Sequence, residues 1–127
     1  MARRRMVSLD IVDTDKFLTM PVSARCCYYD LLVRADDEGF VGNPKSLLKM
    51  LSYAEDDLNL LCAKGFVIPF ESGVIVITHW KMQNSIAADR FKPTIHREEK
   101  FMLGIKGNKE YVFLPERKAL LDCTALN

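Results

Sequence analysis

No Cys-x-x-Cys pair occurs in this chain, although it holds four cysteines, Cys26, Cys27, Cys62 and Cys123. That spacing excludes a zinc ribbon and, with no signal-peptide pattern ahead of it, a secreted disulfide framework, so a reducing cytoplasm is the expected location. Cys26 and Cys27 are neighbours in a helical stretch, where side chains diverge by about 100°, so they are poorly placed to share a metal. Cys62 falls on an apolar helix face and is expected in the core. Long apolar runs are missing too. The longest span only a few residues, against the roughly 20 needed to cross a bilayer, so no membrane association is expected.

A charge of one sign is also lacking: 18 Lys and Arg against 17 Asp and Glu leave +1. Any nucleic-acid contact must therefore come from local clusters. Gly-rich phosphate loops and nucleophile elbows are absent. The two histidines, His79 and His96, stand apart from the acidic triplet Asp36, Asp37 and Glu38 in sequence, and successive carboxylates diverge, so no metal, cofactor or catalytic residue is expected. What the chain does have is an apolar fraction of 49% and a charged fraction of 28%, ordinary values for a folded domain. Its 127 residues suit one core.

Residues 1–20 read as a basic N-terminal arm, opening with Arg3, Arg4 and Arg5 and including a brief helical turn capped by Asp13. Ala24, Tyr28, Leu31, Leu32 and Ala35 then trace one face of an amphipathic helix, which Asp36 to Gly39 stop. Phe40 and Val41 suggest a short strand. Asn43 before Pro44 is a helix start, and Ser52 with Glu55 matches a capping box for a third helix running to Gly65. Past Gly65 the apolar period changes to two, predicting a hairpin from Phe66 to Trp80 that turns at Ser72 and Gly73. Pro69 cannot donate to a ladder and belongs on an edge strand. Helix, strand, helix, helix, strand, strand is the order of a winged helix-turn-helix in the α+β class, assigned to residues 21–100. Ser85 to Lys92 is expected to add a short helix closed by Pro93, and residues 101–127 a hairpin around Gly107 and Asn108 or a tail.

These segments are also familiar as a set. Phe17 to Pro21, Tyr28 to Leu32, Arg34 to Val41, Phe70 to Trp80 and Asp89 to Thr94 resemble the N-terminal domain of phage replisome organisers and the related DnaD-like replication initiation proteins. The similarity covers residues 5–100, about three-quarters of the chain. It implies a winged helix that recognises DNA at a phage or prophage origin, or that self-associates while helping to load the replicative helicase. Many members of the family carry a longer C-terminal region.

The third helix begins Glu55, Asp56, Asp57, which suits the positive end of its dipole but repels phosphates, so base reading by this helix is not expected. The candidate DNA contacts are instead Arg3, Arg4 and Arg5 as an arm, Lys45 and Lys49 one turn apart, and Lys81, Asn84, Arg90 and Lys92 after the wing, giving phosphate-dominated binding of duplex DNA. Arg97 and Lys100 extend the same basic stretch. The wing tip, Glu71 to Gly73, carries no positive charge. That and the acidic third helix favour a second reading, a protein-binding winged helix contacting itself, a helicase or a helicase loader, with homo-oligomers formed by strand pairing or helix packing. A small transcriptional regulator shares the fold and is a third reading.

Overall fold

The computed structural model describes residues 3–126, with side chains through residue 122. Two short helices come first, α1 (Leu9–Val12) and α2 (Asp15–Leu18). Ser8 Oγ accepts from the Asp10 amide and Thr14 Oγ1 from the Phe17 amide, so hydroxyls cap both. Ile11, Phe17 and Met20 are buried in the common core. The Phe17 ring meets Tyr28 and Phe66 edge-on at 5.3 and 5.4 Å, the arrangement that aromatic quadrupoles favour. Residues 11–20 are therefore part of the domain and not an arm: three apolar side chains too large to leave in water draw the segment inward.

Helix α3 (Val22–Arg34) buries Ala24, Tyr28, Leu31 and Leu32 as its periodicity predicts, with Cys27 beside them. Burial pushes the Cys27 thiol up to about 12, helped by Asp57 and Asp30, which keeps it protonated and unreactive. Strand β1 (Phe40–Val41) follows, then α4 (Pro44–Met50), α5 (Glu55–Ala63), β2 (Val67–Pro69) and β3 (Ile75–Ile77). The three strands form an antiparallel sheet in the order β1-β3-β2, with Phe40 opposite Val76 and Val67 opposite Ile77. Pro69 lies on the edge strand β2, where its missing donor is tolerated. The architecture is α+β, and the order and pairing are compatible with a winged helix-turn-helix.

Three local expectations are corrected. Helix α5 starts after Ala54, because Ser52 adopts a left-handed φ of 64° and ends α4, with the Tyr53 amide donating to Leu48 O at 2.8 Å. Asp57, not Glu55, folds back to accept from the Ala54 amide, at 3.2 Å. The second wing strand stops at Ile77 instead of Trp80, because Thr78 O accepts from Tyr111 N at 2.9 Å and Trp80 opens a helical turn, α6 (Trp80–Gln83). No helix forms over residues 85–92. Asn84 is extended there, and the amides of Lys92 and Thr94 are drawn to Asp37 and Glu38.

Beyond this irregular stretch come α7 (Arg97–Phe101), the expected hairpin as β4 (Leu103–Ile105) and β5 (Tyr111–Phe113), and α8 (Pro115–Leu126). Leu103 and Tyr111 join the same core as α3, so the hairpin belongs to the domain. The wing tip is docked against these later elements: Lys118 Nζ lies 3.3 Å from Glu71, and Ser72 Oγ donates to Glu99 at 3.3 Å.

Candidate nucleic-acid interface

The turn after α3 supplies the frame on which the surface charges are arranged. Gly39 holds φ at +94°, a value that side chains resist, and a Cβ there would sit 2.6 Å from Trp80 Cγ. The turn lets three consecutive carboxylates reach three different segments. Asp36 accepts from the Glu38 and Phe40 amides at 2.9 and 3.0 Å and from Thr94 Oγ1 at 2.5 Å. Asp37 pairs with Arg5 at 3.0 Å and accepts from the Lys92 amide at 2.9 Å. Glu38 accepts from the Thr94 amide at 2.8 Å and pairs with Lys100 at 2.6 Å. Two main-chain carbonyls of the turn are also satisfied, Asp37 O by Trp80 Nε1 at 2.9 Å and Glu38 O by Tyr111 OH at 2.8 Å. Burying such charges is costly unless each is paired, and here the pairing fastens the N-terminal segment and residues 92–100 to the core. Among the described residues no group of three or more His, Cys, Asp or Glu is placed to hold a metal ion.

This arrangement corrects the expected roles of Arg5 and Asn84. The Arg5 side chain is 2% exposed, donates to Ala35 O at 2.8 Å and lies 5.2 Å from the Trp80 ring centre, so it is a core cation and not a phosphate contact. Asn84 uses its amide on the main chain of Met6, accepting from Met6 N at 2.7 Å and donating to Met6 O at 3.2 Å. Its neighbour Gln83 accepts from Ser8 N at 3.0 Å and donates to Tyr28 OH at 2.9 Å. Residues 5–8 are thus held in place, with exposed Arg3 and Arg4 just ahead of them.

The result is a cleft of about 500 Å³ in which Arg3, Arg4 and exposed Arg90 come together around Met6, Asn84 and Ile86. Among the described residues no carboxylate lines it. Guanidinium groups gathered in this way match phosphate oxygens in geometry and charge. Other expected contacts lie elsewhere. Lys45 and Lys49 are exposed on α4 and line no part of the cleft. Lys92 borders a separate groove with Arg34. Lys81 lines a further depression of about 330 Å³ with Arg97, Lys100 and Arg117, beside Phe101 and Tyr111. Arg97 and Lys100 are visible in the sequence as part of the basic stretch, but nothing in the sequence links the tail residue Arg117 to them.

At the start of α5, Glu55 and Asp56 are exposed, while Asp57 accepts from Ser23 Oγ at 2.7 Å. His79 lies half-buried near Glu110, at 3.6 Å; burial lowers its pKa, an effect that Glu110 partly opposes. Among the described residues no helix is long and apolar enough to cross a membrane. Comparison with protein-family models, with curated proteins and with solved structures finds no match.

Proposed function

We propose that the protein is a DNA-binding winged-helix module of the replication-initiation type, resembling phage replisome organisers, and that it grips duplex DNA through phosphates at the Arg3, Arg4 and Arg90 cleft. The observation that carries this reading is the convergence of those three arginines on one carboxylate-free surface, held by the Asn84 and Gln83 contacts to residues 6–8. Preorganised cations lose little freedom when they meet a phosphate, which favours affinity. Such a module works in the cytoplasm of a bacterial host, as a homo-oligomer or beside a helicase or helicase loader.

The test is fluorescence anisotropy with labelled duplex DNA, comparing wild type with the Arg3→Ala/Arg4→Ala/Arg90→Ala variant. Loss of even one charge-assisted hydrogen bond of about 1.5 kcal/mol gives roughly a tenfold weaker complex, so a loss of at least that size is expected. A folded wild-type protein that binds no duplex at low salt would instead favour the second reading, a protein-interaction module. Its support is the acidic start of α5 together with the docked wing tip, which carries no positive charge.

A further inference from the structure

A third hollow, of about 410 Å³, joins the arginine cleft to the Lys81 depression. It shares Asn84, Ser85 and Ile86 with the first and Lys81 and Ile105 with the second, so the three form one continuous surface. Asp37 and Glu38 border the middle of it, but both are 3% exposed and are paired with Arg5 and Lys100. Along this basic surface three apolar side chains remain open to water: Phe91 at 40%, Ile105 at 54% and Phe101 at 42% exposure. Arg117 stands 5.5 Å from the Phe101 ring centre and donates to the carbonyls of Phe101 and Leu103, which fixes the ring's position on the domain.

We infer that this surface is a track for single-stranded nucleic acid, with phosphates following the cations and unpaired bases lying on Phe91 and Phe101. The step rests on the nucleic-acid reading above but assigns other residues and another state of the strand. A duplex keeps its base faces stacked inside and offers an outer surface of phosphates and groove edges, for which exposed aromatic rings are of little use. A single strand offers base faces, and rings set among cations bind them with little regard to sequence. The lining fits that chemistry: cations on either side, apolar side chains between, and carboxylates already neutralised.

The experiment compares a labelled oligothymidylate with a labelled blunt duplex, using the full chain, by anisotropy at fixed salt. Three variants are measured beside wild type: Phe91→Ala/Phe101→Ala, the bulkier Phe91→Leu/Phe101→Leu, and Arg3→Ala/Arg4→Ala/Arg90→Ala, with circular dichroism confirming that each is folded. Removal of the two rings is expected to weaken oligothymidylate binding about tenfold or more while leaving duplex affinity unchanged. The leucine variant retains apolar bulk without a stacking face, and it should lose single-strand affinity even if the alanine variant folds poorly. Absence of oligothymidylate binding, or binding indifferent to both ring variants, overturns the track. If the duplex complex depends on the three arginines while the single-strand complex ignores the rings, the track fails and the duplex reading survives. The reverse pattern keeps the track and removes the duplex reading.

Discussion

Replacing Arg5 with alanine should destabilise the protein far more than replacing either of its arginine neighbours. The Arg5 side chain is 2% exposed and that of Asp37 is fully buried, with 3.0 Å between them. Removing one partner of a buried pair leaves the other charge stranded, at about 3–5 kcal/mol. For a chain of this size each kcal/mol corresponds to roughly 3–6 °C, so Arg5→Ala should melt about 10 °C or more below wild type. Arg3→Ala and Arg4→Ala remove exposed side chains and should stay within about 0.5 kcal/mol of wild type. The combination Arg5→Met/Asp37→Leu should recover much of the loss, since two apolar groups of similar bulk avoid the stranded charge. A remainder of about 1 kcal/mol each is expected from the Lys92 amide, which donates to Asp37, and the Ala35 carbonyl, which accepts from Arg5. Thermal and urea unfolding followed by circular dichroism measure all four variants. If Arg5→Ala melts with Arg3→Ala, the ion pair does not hold the N-terminal segment to the core and the reasoning fails.

Gly39→Ala meets both a positive φ and Trp80, and should cost about 2 kcal/mol or more in urea unfolding. His79 has its pKa lowered by burial, so the folded state disfavours the protonated ring. The resulting stability is present above the ordinary value of 6.5 and falls as pH drops from there toward the folded pKa; His79→Gln should flatten that part of the stability-pH curve. Asn84→Ala removes both hydrogen bonds to Met6, costing about 1–3 kcal/mol, and should speed amide exchange at Met6 and Ser8. It should also weaken duplex binding with all three cleft arginines intact, because the segment must then be ordered on binding.

Much of the frame was legible because it depends on local signals. The four predicted apolar positions within α3 and Ala35 at its C-cap are all buried, Pro44 begins α4, and the period-two run after Gly65 forms the hairpin. All but one of the misreadings involve partners distant in sequence, and the exception is a local turn. Ser52 fits a capping box by spacing, yet its left-handed backbone ends the preceding helix. Residues 85–92 have helical composition, but the carboxylates of Asp37 and Glu38 draw Lys92 and Thr94 into an extended path. Asp36 to Glu38 read correctly as a helix stop; their second task, fastening Arg5, Thr94 and Lys100, depends on contacts 32 to 62 residues away. In a run of three arginines, composition cannot single out the one that folds inward. At the candidate interface, Arg3, Arg4, Arg90 and Lys81 were visible as cations, whereas their sorting into joined depressions required the fold.

The most direct test of the proposed DNA grip is the salt dependence of duplex binding. Each phosphate neutralised contributes about −0.9 to the slope of log K against log salt, so three arginine contacts should contribute roughly −2.7. The wild-type slope should be steeper than that of Arg3→Ala/Arg4→Ala/Arg90→Ala by about that amount. Equal slopes for the two proteins would mean that the duplex is not held at this cleft.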